Sequence, residues 1–174
     1  MKLIEPTAEY CRQIQAYRQE FLDCGDSMDG TDGLRCEEDP KKWIERCRLF
    51  KNPENVPEGR VPATQFIFVR EEDHKIVGML QIRHFLNDHL KKYGGHIGYS
   101  VAPSERRKGY ASLMLKTALP ACRKLGIDKV LITCMDNNIG SRKTILANGG
   151  VYESTVFEPD EKVSLEKYWI DLSA

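Results

Sequence analysis

The sequence predicts an α/β fold in the broad, α+β sense: a mixed, mostly antiparallel twisted sheet flanked by helices. Three observations carry this. Two helical patterns precede a run of β-branched and aromatic residues that a polar turn folds back on itself. The middle of the chain then alternates strand, helix, strand, helix, and residues 151 to 172 read as a second hairpin.

In order, residues 2 to 5 form a short strand, after which Thr7 can cap a helix whose apolar positions Tyr10, Ile14, Tyr17 and Phe21 recur at helical spacing; it ends near Asp23. Cys24 to Cys36 is rich in Gly and Asp and has no periodicity, which makes it a loop. Asp39-Pro40 supplies an N-cap and a first-turn proline for a second helix, with Trp43, Ile44, Cys47 and Phe50 as its buried stripe. The three prolines between residues 51 and 63 mark another loop. Thr64 to Arg70 and Lys75 to Phe85 are strands joined at Glu71-Glu72-Asp73-His74.

Gly94-Gly95 breaks the chain before a strand from His96 to Val101, which Pro103 closes. Arg106 to Leu125 reads as a helix with Leu113, Leu115, Ala118, Leu119 and Cys122 inside. A strand from Lys129 to Met135 follows, then Asn137-Asn138 and a helix ending at Asn148-Gly149, the pattern of a crossover between parallel strands. The last two strands, 151 to 157 and 162 to 172, enclose the turn Glu158-Pro159-Asp160-Glu161. Val163 and Leu165 share one parity and Tyr168, Ile170 and Leu172 the other, which predicts a bulge near Glu166-Lys167.

A chain of 174 residues fits one domain over 1–174, and 41% hydrophobic with 30% charged residues excludes the disordered and low-complexity classes. Lys plus Arg and Asp plus Glu each number 26, so the overall field draws the chain neither to nucleic acid nor to an anionic membrane. Neither the start Met1-Lys2-Leu3-Ile4-Glu5-Pro6 nor any later segment approaches the ~18 apolar residues of a membrane span, and the expectation is a cytoplasmic protein. Six cysteines without CxxC spacing read as reduced thiols, and four histidines without zinc spacing lead us to expect no metal. The series Asp23, Asp26, Asp29, Asp32 recurs every third residue and fails the alternate-ligand pattern of a calcium loop.

The segment with the most chemistry is Val101-Ala102-Pro103-Ser104-Glu105-Arg106-Arg107-Lys108-Gly109-Tyr110-Ala111, a strand running into a helix start that carries a glycine. Such a turn leaves backbone N–H groups unpaired at the positive end of a helix dipole, where a diphosphate fits. Gly109 and Ala111 let backbone come close, and Arg106, Arg107 and Lys108 add positive charge. The plain alternative is a solvated basic helix start with a chance glycine.

Arg106 to Ala111 resembles the (Arg/Gln)-x-x-Gly-x-(Gly/Ala) acyl-CoA signature of the GNAT superfamily of N-acetyltransferases. His96-Ile97-Gly98-Tyr99-Ser100-Val101-Ala102-Pro103 is similar to that family's fourth strand. Asn138-Ile139-Gly140-Ser141 and Gly149-Gly150 resemble its later elements, and the segment GGHIGYSVAPSERRKGYA is similar to a subgroup known as predicted acetyltransferases. The resemblance implies acetyl-CoA as co-substrate and central parallel strands, the fourth and fifth, that splay apart around the pantetheine arm. It implies main-chain contacts from Tyr99, Ser100 and Val101, with the Val101 N–H polarising the thioester carbonyl. It also implies a diphosphate site at Arg106, Arg107, Lys108, Gly109, Tyr110 and Ala111, and contacts from Asn138 and Ser141.

Direct amine acetylation needs a proton acceptor and a donor to the departing thiolate. His96 stands where many family members place a strand-four Glu and reads as the base, or else as a histidine packed beside Gly94-Gly95 and bonded to backbone. The family's usual acid, a Tyr four residues after the Ser, is here Ile145; Tyr99, Tyr110, Tyr152, Tyr168 and water remain as candidates. Cys134 reads as a buried small side chain ahead of an acyl-carrying nucleophile. Two function classes therefore stand: an N-acetyltransferase acting through a ternary complex, and a non-catalytic acyl-CoA-binding or sensing module. Between Glu20 and Asp39 eight acids face one base, Arg35, which suggests a cationic amine, small molecule or peptide, as acceptor. Homodimerisation is left open.

Overall fold

The computed structural model describes residues 1–173, whose elements run β1 (Lys2–Ile4), α1 (Cys11–Cys24), α2 (Pro40–Leu49), β2 (Ala63–Arg70), β3 (Lys75–Arg83), β4 (Ile97–Val101), α3 (Tyr110–Lys124), β5 (Lys129–Met135), α4 (Ile139–Ala147), β6 (Val151–Glu158) and β7 (Val163–Asp171). Asp39 caps α2 as its position implies, accepting from the Lys41 N–H at 2.9 Å, with Pro40 in the first turn. Thr7 makes no capping bond. It precedes a 3-10 turn at Ala8–Tyr10, and α1 starts only after it.

The strands form two sheets, β1-β2-β3-β4 and β5-β7-β6, and every ladder within them is antiparallel. Among the described residues no ladder joins β4 to β5. The expected splay is present, and among the same residues one bridge crosses it, pairing Gly95 with Ile132. α1 and α2 cover one face, burying Ile14, Tyr17, Phe21 and Trp43 over Ile67 and Met79. On the other side α3 and α4 enclose Leu80, Ile82, Met114, Leu115, Val130, Ile132 and Ile145. Each such fully buried side chain contributes about 1.5–3 kcal/mol of transfer free energy, so both layers are needed to hold the strands. Among the described residues no helix is long and apolar enough to cross a membrane, and all six cysteines are free thiols.

Four expectations are corrected. α3 begins at Tyr110, not Arg106: Pro103–Glu105 is a 3-10 turn, and Arg107 and Gly109 have φ of +62° and +81°, values no right-handed helix accommodates. Leu113 is exposed and Met114 takes the buried position. β3 ends at Arg83: the next pair in register keeps the His84 N–H on the Pro62 carbonyl at 2.9 Å, but Pro62 has no N–H with which to return the second bond. The bulge lies in β6, between Tyr152 and Ser154, where the extra residue Glu153 sits on the outer strand while β7 keeps its register to β5.

Hydrogen-bond parity shows what the splay exposes. The Arg83 N–H reaches the His96 carbonyl at 2.8 Å and the Ala102 N–H reaches the Val77 carbonyl at 2.9 Å. In an antiparallel ladder these bonds make the even-numbered residues of β4 the partners of β3, and turn the peptide groups of Ile97, Tyr99 and Val101 to the opposite edge. In β5, the Leu172 N–H on the Asp128 carbonyl at 2.7 Å likewise turns Leu131, Thr133 and Met135 toward β4. The two edges meet at His96 and Leu131 and part toward Val101 and Met135.

Gly95 makes the meeting point. Its φ is +67°, and a Cβ there would lie 2.5 Å from the Leu131 carbonyl oxygen. Gly95→Ala should lower the unfolding free energy by about 2 kcal/mol or more in a denaturant titration, from left-handed strain together with displacement of β5; an unchanged midpoint would show that β4 and β5 do not depend on this contact.

Candidate functional site

The turn before α3 presents a run of free backbone donors. Among the described residues, the amides of Arg107 through Ser112 have no acceptor, and the first helical bond is Leu113 N–H to the Gly109 carbonyl at 3.1 Å. Positive φ at Arg107 and Gly109 curls these groups, and the space where a Cβ on Gly109 would project is empty. Glu105 holds the turn from beneath. Its buried carboxylate pairs with Arg70 at 2.9 Å, Lys75 at 2.8 Å and Lys108 at 2.9 Å, and Lys75 above all holds it down to about 2. The Tyr110 hydroxyl accepts from the same Arg70 at 3.3 Å, so its ring props the turn while its amide faces out.

The basic side chains are less available than their sequence implies. Lys108 is tied to Glu105, and Arg106 pairs with Asp26 at 2.6 Å and stacks over Phe21. Arg107 has no ion-pair partner among the described residues. An anion here is therefore met mainly by peptide N–H groups, the dipole of α3 and Arg107.

Along β4, side chains alternate faces. Tyr99 points to α4, its hydroxyl 2.7 Å from the Ser141 Oγ, and burial pushes its pKa up to about 12. Ser100 points the other way: its Oγ lies 3.0 Å from the Tyr17 hydroxyl and donates to the Asp29 carbonyl at 2.6 Å. Its peptide groups belong to the ladder with β3. Ser100 is thus turned away from the wedge, while Tyr99 and Val101 present main chain to it. Asn138 caps α4, its Oδ1 accepting from the Ser141 N–H at 3.0 Å.

His96 occupies the apex. Its backbone N–H donates to the Leu131 carbonyl at 2.7 Å and its Nδ1 accepts from the Leu131 N–H at 2.9 Å, so one residue satisfies both peptide groups of a β5 position that has no strand partner on that side. Burial, and then the nearby Arg83, push its pKa down to about 4. An imidazole so weakly basic, with one nitrogen already occupied, is ill suited to take a proton from an ammonium group. The packed, backbone-bonded alternative is the one the geometry supports. Cys134 is buried, and burial followed by the charge of Glu166 pushes its thiol up to about 11, far from thiolate chemistry at neutral pH.

The acid-rich loop is largely neutralised from within. Asp32 is buried between Arg60 and Arg46, Glu37 reaches Arg46 at 3.7 Å, Asp26 holds Arg106 and Asp39 caps α2. The loop's Gly30 packs directly on Gly98 of β4. Sequence reasoning overlooked Gln81 and Arg83, which line a cavity on this face of the sheet. The available signal was their place in β3, polar at the parity that is apolar at Met79.

A family model described as the acetyltransferase (GNAT) family matches residues 33–149. No curated protein matches the chain in sequence. Among solved structures, a ribosomal-protein-S5-alanine acetyltransferase from Vibrio fischeri superposes with a TM-score of 0.73 at 16% identity, covering 98% of this chain and 92% of that one. Mycobacterium smegmatis RimJ in complex with CoA-disulfide gives 0.70 at 19% identity over 97% and 80% of the two chains. Spermidine N-acetyltransferase SpeG from Vibrio cholerae, in a mutant form, gives 0.66 at 14% over 99% and 96%.

Since folding keeps His96 neutral down to about pH 4 while an unfolded histidine takes up its proton near 6.5, the native state should lose stability as pH falls from about 6.5 to about 4 and be unaffected by this group above that window. His96→Asn, which retains an acceptor but does not titrate, should flatten that part of a melting-temperature profile and leave the acidic limb of the rate profile in place. A limb that moves would return the base role to His96.

Proposed function

Because the chain belongs to the acetyltransferase (GNAT) family, we propose that it carries the acetyl group of acetyl-CoA to a primary amine by direct attack within a ternary complex. The observation that supports this best is the continuity of the site: the free amides of Arg107 to Ser112 lie at the open end of a wedge whose β4 edge displays the peptide groups of Tyr99 and Val101. In this reading the diphosphate rests on the turn of Arg106, Arg107, Lys108, Gly109, Tyr110 and Ala111, with backbone as the main donor. The pantetheine arm runs back along β4, bonded to Val101 and to the Asn138 amide nitrogen.

The thioester then lies toward the apex. We assign polarisation of its carbonyl to the Tyr99 N–H, which is nearer the apex than that of Val101 and faces the same edge. The amine nitrogen forms its bond to the carbonyl carbon, its proton passes to water, and the carbon–sulfur bond breaks. Tyr99 takes the place of the acid missing at Ile145, because its hydroxyl, kept protonated by burial and oriented by Ser141, can donate to the departing thiolate. His96 is a positioning residue. The compartment in this reading is the cytoplasm. The acceptor is a small-molecule or peptide amine; its cationic nitrogen is the part the acid-rich loop would attract, chiefly through Asp29.

Acetyl-CoA should raise the melting temperature, by the equivalent of about 2.7 kcal/mol at a hundred times its Kd. Gly109→Glu, which places a carboxylate where the diphosphate sits, should abolish the shift; equal stabilisation of both proteins would displace the co-substrate from this turn.

Tyr99→Phe should lower kcat by about 10²-fold or more while keeping the acetyl-CoA shift, as loss of a proton donor does. Cys134→Ala should leave turnover intact, with no acetyl adduct on the intact wild-type protein by mass spectrometry. The reverse pattern, a silent Tyr99→Phe and an inactive Cys134→Ala with an adduct on Cys134, would replace direct attack by an acyl-enzyme.

A further inference from the structure

A cavity of about 210 Å³ opens on the face of the sheet that Gly98 and Ser100 present, lined in part by Arg60, Gln81, Arg83, Asn87 and His89. It far exceeds the ~30 Å³ share of a water in the liquid, and has room for a small molecule. Its polar groups are not equally occupied. Asn87 is engaged, donating to the Gly59 carbonyl and accepting from the Leu90 N–H, and Arg60 is paired with the buried Asp32.

Arg83 and Gln81 are different. The Arg83 Nη1 donates to the Gly94 and Gly95 carbonyls, each at 3.1 Å, but among the described residues its Nη2 and Nε have no acceptor and no carboxylate comes within ion-pairing distance. Burial and the neighbouring Arg60 push its pKa down, the mark of a cation without adequate compensation. Asp32, the carboxylate that could have served it, is already shared between Arg46 and Arg60. Gln81 is buried, yet its side-chain amide has no hydrogen-bond partner among the described residues. Across the ladder Gln65 leaves its Oε1 unsatisfied. A half-buried guanidinium and an amide with donors to spare stand side by side around one cavity, their unused N–H groups open to it and available to the acceptor atoms of a ligand.

The cavity also adjoins the chemistry. Arg83 holds the same Gly94-Gly95 turn that meets β5, and its Nη2 lies 3.8 Å from where a Cβ on Gly98 would be, on the strand that edges the wedge.

We propose that this cavity is the acceptor's anion pocket: the amine substrate is a small aminocarboxylate, whose carboxylate is bound by Arg83 and Gln81 and whose amino nitrogen is presented across β4 to the thioester. This deepens the acetyltransferase reading and rests on it. The guanidinium fork accepts a planar carboxylate in two parallel hydrogen bonds, and the Gln81 amide supplies a further donor. The acidic loop and the cavity then recognise opposite ends of one zwitterion.

The test uses pairs of amines that differ only in the carboxylate, L-lysine against cadaverine and L-serine against ethanolamine, with O-phosphoethanolamine as the phosphate-bearing control. Release of CoA from acetyl-CoA is measured together with the thermal shift each amine causes in the presence of CoA. The carboxylated member of at least one pair should have a kcat/KM higher by about thirtyfold or more and should be the member that stabilises the complex. Arg83→Met should erase that preference by raising KM. Gln81→Leu, which leaves the turn at Gly94-Gly95 untouched, should weaken it in the same direction with the acetyl-CoA shift unchanged, and carries the test alone should Arg83→Met fail to fold. Equal use of both members, a preference for the decarboxylated amines or for O-phosphoethanolamine, or a preference that survives both substitutions would overturn the pocket. Failure of the underlying reading looks different: the carboxylated amines still stabilise the protein, but no amine releases CoA.

Discussion

The contact of Gly95 and His96 with Leu131 is the constraint on which the rest of the site depends. Two strands that run on in register would satisfy each other and leave nothing for a ligand. Here pairing is allowed at a single bridge, and His96 ends it by bonding both the carbonyl and the N–H of Leu131. Beyond that point the free edges of β4 and β5 diverge with polar backbone exposed, a state that is tolerable in a sheet interior only if water or a bound chain completes it. The burial that depresses the basicity of His96 also keeps it a neutral acceptor for the Leu131 N–H. Its structural suitability and its unsuitability as a base have the same cause.

Electrostatics within the neutral chain follow a similar logic. The acids of the loop after α1 and the bases before α3 stand apart in sequence but not in space, because Asp26 reaches Arg106 and Glu105 gathers Arg70, Lys75 and Lys108. Each cluster thereby spends charge on fixing backbone, and the anion-binding capacity passes from side chains to oriented amides. Three arginines near the sheet's polar end, Arg46, Arg60 and Arg83, surround the buried carboxylate of Asp32, and only the first two reach it. The leftover charge is local, and whole-chain charge counts are blind to it.

What was legible in the sequence follows from which signals are periodic. The strands and helices announced themselves through Ile14, Tyr17 and Phe21 or through Phe66 and Phe68, because burial repeats at the period of the element. The Asp39-Pro40 cap was legible because its chemistry is local. The sequence places the start of α3 too early because Arg106 to Lys108 have helical composition, yet Arg107 carries a positive φ of which an arginine gives no sign. The bulge was assigned to the wrong strand, since a parity change in β7 says that an extra residue exists but not which of the paired strands holds it. The resemblance makes Tyr99 and Ser100 equivalent as main-chain partners; only the register to β3 separates them. Gln81 and Arg83 escaped notice because nothing in one dimension shows that their natural partners are taken.

A site made this way places unusual demands on sequence. Peptide groups bind the same ligand whatever side chains they carry, so most positions along β4 and the turn are constrained by parity and φ rather than by identity. The exceptions are few and physical: no Cβ at Gly95 or Gly109, an acceptor at His96 for the Leu131 N–H, an anion at Glu105 to hold the turn. A fold can therefore be kept, with a TM-score near 0.7, while identity falls below one residue in five. The proposed acceptor side obeys the opposite rule. Recognition there would be by side chains, of which Gln81 makes no contact with the wedge, while Arg83 also holds the Gly94-Gly95 turn. On this division a co-substrate held by backbone would leave its trace in a short motif, whereas an amine held by side chains would leave its trace in groups without partners in three dimensions.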